Sequence, residues 1–338
     1  MKVSLAVSTY NSAATIVACV ESLLAVDYPQ KEIIIIDDGS TDETLDILKK
    51  YPVRLIPQNH QGVSAGRDLA LRSATGEMIL YTDSDCAVDV QWVNELLKPL
   101  ADPQVGAVTG RTIFGTDHRC TSWLRSLDIE SRYAQRKQYT ELANGTNCAF
   151  RRELLIQLGG FNPRWFHAED TEVSYRVLQK GFKIYYQPTA IVRHVPEGNW
   201  KSYIRKRYRG TKAHLRMMPK YHTDVVKDDF VSKKMLMQPV LYTLMYAMTG
   251  VALVLAIISD VGTGLPLFWS KLSLGIAVLC YAAGMMMEIS LIRKVYQRSG
   301  KWMFILIALL MQSGKAFAIG LGVFAGLWQY RLFLKHAK

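Results

Sequence analysis

The first hundred residues alternate short aliphatic runs with segments whose apolar positions recur every three or four residues. The aliphatic runs are typical of buried parallel strands and cover residues 3–7, 32–36, 53–56 and 78–81. The segments with helical spacing cover residues 15–24, 41–50 and 63–73, and Ser40 and Thr41 are predicted to cap the second. Repeated strand–helix–strand units predict an α/β fold with a doubly wound sheet.

Beyond this region the alternation is less regular. Strands are predicted at 105–109, 183–186 and 190–193, and helices at 123–137 and 171–180. Ligands of doubly wound sheets bind beyond the carboxyl ends of the strands. Polar residues that directly follow a strand are therefore the first candidates for a site.

Three long apolar stretches close the chain, at residues 235–258, 272–292 and 302–328. The first carries no charge and is long enough to span a bilayer, which takes about 20 residues. The second contains Glu288, and the third contains Lys315 and a Gly322-x-x-x-Gly326 spacing that favours close helix packing. We therefore predict an α/β domain at 1–223 and a membrane domain at 224–338.

The formal net charge of +12 comes from the C-terminal part of the chain. Residues 1–196 contain 21 Lys and Arg against 23 Asp and Glu, whereas residues 197–338 contain 20 against 6. Residues 199–220 mix basic, aromatic and aliphatic residues without an acid, a pattern typical of a helix in the membrane interface. Basic residues beside apolar segments favour an anionic membrane surface as the partner and argue against nucleic acid.

Basic residues also predict the orientation of the membrane segments. They flank the start of the first segment and the loop between the second and third, at Lys227, Lys233, Lys234, Arg293, Lys294, Arg298 and Lys301. This places the N-terminal domain in the cytosol and predicts a multi-pass protein of the cell membrane. A third crossing would put Arg331, Lys335 and Lys338 outside, against the rule, so the third segment is alternatively re-entrant or interfacial. Five scattered cysteines without CxxC spacing indicate a reducing compartment.

Acidic residues follow two neighbouring strands of the predicted sheet. Asp83 and Asp85 come after the strand at 78–81, and Asp37 and Asp38 come after the strand at 32–36. Carboxylates one residue apart at a strand end can hold a hard divalent cation that also binds a diphosphate. The two acidic ends together indicate a site for a nucleotide and a metal-bound diphosphate.

These motifs occur in an order that resembles family 2 glycosyltransferases with the GT-A fold, over about residues 2–215. The motifs are Val-Ser-Thr-Tyr-Asn at 7–11, Asp-Asp-Gly-Ser at 37–40, the turn from Gly62 to Arg67, Asp-Ser-Asp at 83–85, Asn-Gly-Thr-Asn at 144–147, Gly-Gly-Phe at 159–161, Ala-Glu-Asp at 168–170 and His194. Two positions depart from the family pattern. Gly66-Arg67-Asp68 replaces the usual Ala-Arg-Asn, and Ser8 stands where many relatives have Pro.

The resemblance implies a role for each matching residue. Ser8, Tyr10, Asp38, Arg67 and Asp83 would bind the donor, with Asp38 reading the base. Asp85 and His194 would ligate Mn²⁺ or Mg²⁺, with Asp83 nearby. Asn144, Gly145 and Asn147 would face the acceptor, to which we add the basic Arg205 and Arg209. Asp170, beside Glu169 at the start of a predicted helix, would be the general base of an inverting transfer.

The predicted function is metal-dependent transfer of a sugar from a nucleoside diphosphate sugar to a hydroxyl of a membrane lipid or lipid-linked glycan. A UDP-sugar is favoured, because an acidic turn suits the imide N–H of a pyrimidine, and GDP- and dTDP-sugars stay open. The alternatives are a polyprenyl-phosphate glycosyltransferase, whose ionised acceptor needs no base, and a processive synthase, for which three apolar segments make a thin channel. A protein that binds nucleotide sugars without catalysis and a nucleotidyltransferase are further alternatives. The latter should carry a basic, glycine-rich N-terminal loop that this sequence lacks.

Overall fold

The alternating pattern of the N-terminal part folds into a mixed sheet with helices on both faces. The computed structural model describes residues 1–165, 168–196, 198–221, 233–259 and 265–336. Within them the sheet has nine strands, ordered β3-β2-β1-β4-β8-β6-β9-β5, with β7 paired to β9. The strands are β1 (Val3–Thr9), β2 (Lys31–Asp37), β3 (Arg54–Pro57), β4 (Met78–Asp83), β5 (Cys86–Val88), β6 (Val105–Phe114), β7 (Tyr139–Thr140), β8 (Asn147–Arg151) and β9 (Lys183–His194).

Strands β1 to β4 are parallel, and β8 enters antiparallel between β4 and β6. The helices of the N-terminal part are α1 (Ile16–Leu24), α2 (Thr44–Leu48), α3 (Val63–Ser73), α4 (Trp92–Leu97), α5 (Cys120–Tyr133), α6 (Arg152–Gln157) and α7 (Glu169–Gln179). One face of the sheet packs on α1 and α4, and the other packs on α3, α6 and α7. The sheet is therefore covered on both sides, as the aliphatic strands predicted.

The structure confirms the α/β fold and corrects two details. The strands predicted at 183–186 and 190–193 are one strand, β9, whose register with β6 shifts between Gly110 and Arg111. The predicted capping of the second helix is wrong, because α2 begins at Thr44. The Ser40 hydroxyl instead accepts the backbone N–H of Asn11, which joins the loops after β1 and β2.

A second unit contains residues 118–128, 198–221 and 233–336, while the first contains 1–117 and 129–196. Besides the start of α5, its helices are α8 (Trp200–Tyr221), α9 (Lys233–Ser259), α10 (Leu265–Ser299) and α11 (Met303–His336). Three segments are long and apolar enough to cross a membrane, at Met237–Ile258, Leu267–Ser299 and Met303–Gly326, close to the predicted ones. Lys227, Asp260 and Lys338 lie outside the described residues.

Candidate active site

Asp85, Cys86 and His194 come together where β5 pairs with β9. Cys86 and His194 are register partners across this antiparallel pair, and the backbone N–H of Val195 donates to the carbonyl of Asp85 at 3.0 Å. One ligand atom from each of the three side chains lies within 4.8 Å of the others. Of the predicted metal ligands, Asp85 and His194 therefore meet in space although more than a hundred residues separate them in the chain.

The orientation of His194 places its Nε2 next to the carboxylate of Asp85. Nδ1 of His194 lies 2.8 Å from the carbonyl oxygen of Val195, which can only accept, so Nδ1 carries a proton. Nε2 lies 3.3 Å from Oδ2 of Asp85. In the neutral ring this pair sets a lone pair against a carboxylate oxygen, which a proton or a metal ion between them relieves. Phe114 stacks on the ring with centroids 4.3 Å apart. The donor set fits Mn²⁺ or Mg²⁺.

Sequence reasoning missed Cys86 as a neighbour of this pair. Its thiol donates to Oδ1 of Asp85 at 3.5 Å and is 2% exposed as a residue. Burial, together with the carboxylates of Asp83 and Asp85, raises the pKa of the Cys86 thiol far above its ordinary value. The group therefore stays a neutral thiol at neutral pH. In the sequence, the one indication that Cys86 lies near the site is that it directly follows Asp-Ser-Asp.

Arg67 bonds the carboxylates of Asp83 and Glu169. Its Nη2 donates to Oδ1 of Asp83 at 2.8 Å, and its Nη1 donates to Oε1 of Glu169 at 2.5 Å. Only 5% of the Arg67 side chain is exposed. The prediction that Arg67 reaches the ribose or diphosphate does not agree with this arrangement. Its donors hold protein carboxylates instead, which makes it a positioning residue.

Charge and burial act in opposite directions on these three groups. Burial favours the neutral form of Arg67, but Glu169 and Asp83 outweigh it and raise the pKa of the guanidinium. Burial also opposes ionisation of Asp83, yet Arg67 and a hydrogen bond from Thr146 lower the pKa of that carboxyl. For Glu169 burial prevails over Arg67, and the nearby Asp170 adds to it, so that its pKa rises to about 7. Arg67 therefore carries its positive charge throughout the neutral range.

Asp83 differs from its predicted place among the metal ligands. Its Oδ2 accepts the Thr146 hydroxyl at 2.9 Å, its Oδ1 accepts Arg67, and the trio that could hold a cation does not include it. A third of its side chain is exposed, so each oxygen keeps a lone pair towards the site. This position suits the other predicted role, a contact to the ribose or to a metal-bound water.

Asp170 and Glu169 begin α7 but have different environments. Asp170 is half-buried, and its carboxylate accepts the backbone N–H groups of Gly145 at 3.1 Å and Thr171 at 2.8 Å. Glu169 is buried against Arg67 and forms an ion pair with it, and the part in catalysis that we predict for Glu169 beside Asp170 stays a prediction. Ala168, just before them, has a φ of +65°, a left-handed conformation that L-residues adopt at a cost. The turn fixes how the two carboxylates enter the helix.

The loop before β8 connects Asp170 to the rest of the site through hydrogen bonds from Gly145 and Thr146. Gly145 leaves room for Arg67, because an added Cβ would lie 2.2 Å from Nη1. Asn144 accepts the backbone N–H of Thr146 at 3.2 Å. Asn147 is fully buried, accepts from Trp92 Nε1 and donates to the carbonyls of Arg111 and Ala190. The amide of Asn147 is thus bonded inside the protein, and its contact with the acceptor stays a prediction.

Asp38 does not have the free oxygens that reading a base requires. Its carboxylate accepts from the side chain of Gln58 at 2.6 Å and from the backbone N–H groups of Gln61 and Gly62 at 2.8 Å each, with Nδ1 of His60 at 2.9 Å. A carboxylate offers about four lone-pair positions, so all are taken in this arrangement. Asp38 shapes the turn before α3, and its contact to the base stays a prediction.

Tyr10 and His60 form an exposed aromatic pair beside Asp38. Their rings lie 4.1 Å apart, and Tyr10 is 44% exposed. Its place in a nucleotide pocket stays a prediction. Sequence reasoning missed His60, whose signal was a position shortly after β3 and just before the glycine turn.

The structure explains both departures from the family pattern. A Cβ on Gly66 would lie 2.2 Å from Oγ of Ser8, so glycine at 66 makes room for serine at 8. Asp68 points away from the site, where its oxygens accept the backbone N–H of Phe161 at 3.0 Å and Nε of Arg72 at 2.7 Å. The two unusual residues at 8 and 66 therefore compensate each other. Arg205 and Arg209 are exposed on α8 in the second unit, and their predicted contact with the acceptor stays a prediction.

Known proteins share these features. Residues 4–159 match the family model of Glycosyl transferase family 2. The chain is 26% identical over 223 residues to a poly-beta-1,6-N-acetyl-D-glucosamine synthase of Staphylococcus aureus (strain COL), covering 61% of this chain and 54% of that protein. It is 28% identical over 241 residues to the probable glycosyltransferase YdaM of Bacillus subtilis (strain 168), covering 65% and 57%. The chain thus spans little more than half the length of these relatives.

A solved structure extends the similarity over nearly the whole chain. The mannosyltransferase PcManGT from Pyrobaculum calidifontis, in complex with GDP-Man and Mn²⁺, has a TM-score of 0.57 and 21% identity, covering 97% of this chain and 87% of that one. At this identity the likeness concerns the fold. With the ordered motifs and the family match over residues 4–159, it shows that the N-terminal part of this chain is similar to family 2 glycosyltransferases with the GT-A fold.

Proposed function

We propose that this chain is an inverting, metal-dependent glycosyltransferase that moves a sugar from a nucleoside diphosphate sugar to a hydroxyl of a membrane lipid or lipid-linked glycan. The proposal is supported mainly by a network of hydrogen bonds, here called the frame, that connects Asp83 with Asp170. Arg67 joins Asp83 to Glu169, while the 144–147 loop bonds both Asp83 and Asp170. A transfer reaction needs such a frame because its reacting groups must be held within about 3–3.5 Å of each other.

The frame supports a direct displacement. Mn²⁺ or Mg²⁺ held by Asp85 and His194 would neutralise charge on the diphosphate. Asp170 takes the proton of the acceptor hydroxyl while that oxygen forms a bond to the anomeric carbon. The bond from this carbon to the diphosphate oxygen breaks, and its electron pair leaves with the nucleoside diphosphate. Attack opposite the leaving group inverts the configuration of the sugar.

The donor is a nucleoside diphosphate sugar, with Tyr10 and His60 as a surface for the base. The argument for a UDP-sugar relied on Asp38 as an acceptor for an imide N–H, and that carboxylate is fully bonded. UDP-sugars stay our first choice, but the donor assay compares them with GDP- and dTDP-sugars. PcManGT, the solved relative, was obtained with GDP-Man.

The acceptor is proposed to lie at the membrane, on the cytosolic side. Three apolar helices and the exposed Arg205 and Arg209 of α8 support membrane attachment and contact with anionic headgroups or phosphate. The half-buried Asp170 favours a hydroxyl acceptor, since an ionised phosphate requires no general base.

The deciding experiment replaces Asp170 by Asn in the full chain, reconstituted in nanodiscs with lipid extract, Mn²⁺ and a panel of nucleotide sugars. We expect transfer to fall by about 10²–10⁴-fold, because the amide cannot take a proton. Nucleotide affinity, measured by calorimetry on the same preparation, should stay close to wild type. Asp46→Asn on α2 is the matched control, since the partner of this exposed carboxylate among the described residues is Lys49.

Transfer that survives Asp170→Asn within a few-fold would replace this proposal by a phosphate acceptor. Nucleotide affinity that falls together with the rate would make Asp170 part of the donor site. Hydrolysis of the donor without any product on lipid would contradict the proposed acceptor.

A further inference from the structure

The third apolar helix, α11, is covered along one face by α8. A Cβ added at Gly314 would lie 2.7 Å from the ring of Trp200, and one added at Gly322 would lie 2.9 Å from the carbonyl oxygen of Tyr208. Residue numbers rise together along both helices, so α8 and α11 run parallel. The backbones approach closely from Gly314 to Gly322 because neither position carries a side chain.

The outer face of α8 is strongly basic over the same stretch. Lys201, Arg205, Lys206 and Arg209 are exposed, and Arg209 lies within one turn of the residues that contact Gly322. A basic side chain at the centre of a bilayer is strongly unfavourable. Four of them on one helix therefore keep α8 in water or among headgroups. The part of α11 that α8 accompanies must lie at the same depth.

The remainder of α11 is too short to cross a membrane alone. The helix ends at His336, about 14 residues beyond Gly322, which corresponds to about 21 Å at 1.5 Å per residue. The hydrocarbon core of a bilayer is about 30 Å thick. Arg331 and Lys335 also belong to this last part.

The uncovered side of α11 is a continuous apolar stripe. Its exposed residues recur at intervals of three, four or seven, and they are Met303, Leu306, Leu310, Phe317, Leu321, Phe324 and Trp328. Of these, Phe317 also meets the ring of Tyr246 in α9, with ring centroids 4.7 Å apart. Polar residues of the helix are buried away from this stripe, among them Gln312 and Lys315, each 4% exposed. One apolar side along the whole length suits a helix that lies in a membrane surface.

The helices α9 and α10 provide the contrast. They form an antiparallel hairpin in which Tyr242 packs against Gly284 and the Ser270 hydroxyl donates to the carbonyl of Ala252. Basic residues stand at both ends that this pairing brings to one side, at Lys233 and at Arg293. If α9 and α10 both cross the membrane, these basic residues lie on the cytosolic side, as the positive-inside rule requires. In the described residues, no basic helix runs along the hairpin.

We propose that α11 does not cross the membrane but lies with α8 in the leaflet on the catalytic side, its apolar stripe on the acyl chains. The chain then spans the bilayer twice, and its C-terminus lies on the same side as the glycosyltransferase unit. Arg331, Lys335 and Lys338 then obey the charge rule, which a third crossing would break. Lipid acyl chains contact the apolar stripe of α11, and anionic lipid headgroups contact the basic face of α8. The inference rests on membrane attachment and is independent of the acceptor's identity.

The test is cysteine labelling of the full chain with a membrane-impermeant maleimide. All five native cysteines are buried, so the unsubstituted chain supplies a low background. Lys335→Cys reports the C-terminal tail, Lys49→Cys the catalytic unit, and Thr263→Cys the connection between α9 and α10. Each variant is labelled in right-side-out spheroplasts and in inside-out vesicles.

We expect Lys335→Cys and Lys49→Cys to be labelled in the same preparation, and Thr263→Cys in the other one. Labelling of Lys335→Cys together with Thr263→Cys would overturn the inference and restore a third crossing. A C-terminal fusion to a fluorescent protein that folds only in the cytosol gives a second measurement, and loss of its fluorescence would contradict the proposal in the same way. Transfer activity is not needed for either readout, so failure of the proposed reaction is recognised separately.

Discussion

The site has a buried part, formed by Arg67 and Glu169 and here called the floor, and a more exposed part, formed by Asp83 and Asp85 and here called the rim. Carboxylates have different surroundings in the two parts. On the floor, the side chains of Arg67 and Glu169 are 5% and 9% exposed and bond each other. On the rim, the side chains of Asp83 and Asp85 are 33% and 35% exposed. A buried charged group bonded inside the protein supports the frame, whereas an exposed carboxylate can contact a ligand. Family motifs alone do not separate these two groups.

The rim should respond most strongly to loss of a carboxylate. Asp85→Ala removes one of the two proposed cation ligands, so we expect a loss of several kcal/mol in transition-state stabilisation, or about 10³-fold or more in rate. The fold should be unchanged because Asp85 is on the rim. Mn²⁺ affinity by calorimetry and turnover with and without EDTA are the measurements. Asp89→Ala, an exposed carboxylate nearby, is the control. Equal Mn²⁺ affinity in both variants would remove Asp85 from the metal site.

The floor should respond in stability. Arg67→Met leaves Glu169 buried without its cation, and removal of one partner of a buried pair typically costs about 3–5 kcal/mol. Thermal unfolding of the detergent-solubilised protein measures the loss. The double variant Arg67→Met with Glu169→Gln restores much of the stability because no buried charge remains, while transfer stays low because Asp83 is no longer held. A double variant as active as wild type would show that Arg67 has no positioning role.

A smaller effect concerns pH. The folded-state pKa of Glu169 is raised to about 7, so its contribution to stability is fully present below about pH 4.5 and is lost as the pH rises through 7. At about 1.4 kcal/mol per pKa unit, the change is at most about 3.5 kcal/mol. Glu169→Gln should remove this slope from plots of unfolding temperature against pH. An unchanged slope would mean that Arg67 keeps Glu169 ionised over the whole range.

The smallest effect is expected at the pair that departs from the family pattern. Gly66→Ala places a methyl group 2.2 Å from Oγ of Ser8, and overpacking of this kind costs about 1–3 kcal/mol. Ser8→Ala in the same chain should recover part of the loss, which a double-mutant cycle on unfolding temperature measures. Gly210→Ala is the control, since no atom lies within 4 Å of its added Cβ. Additive losses at 8 and 66 would refute the compensation.

The sequence predicted the elements of the first unit wherever local pattern decided them. Helix α3 has the predicted bounds, and β1, β2 and β4 differ by at most two residues at either end. The prediction failed at β5 and β8, which are short and pair only with strands distant in the chain. Periodicity carries no information about such pairing, because the partners supply the burial and the hydrogen bonds.

For the site, the sequence by itself determined which chemical groups are present and the order in which they occur. Only the tertiary structure decided which partners each of them has. Asn147, Asp38 and Glu169 look as suitable as Asp85 and Asp170 when they are read as motifs, yet their polar atoms are bonded inside the protein. The physical reason is that a carboxylate or an amide has a fixed number of donor and acceptor positions. The partners that fill those positions come from residues far away in the chain.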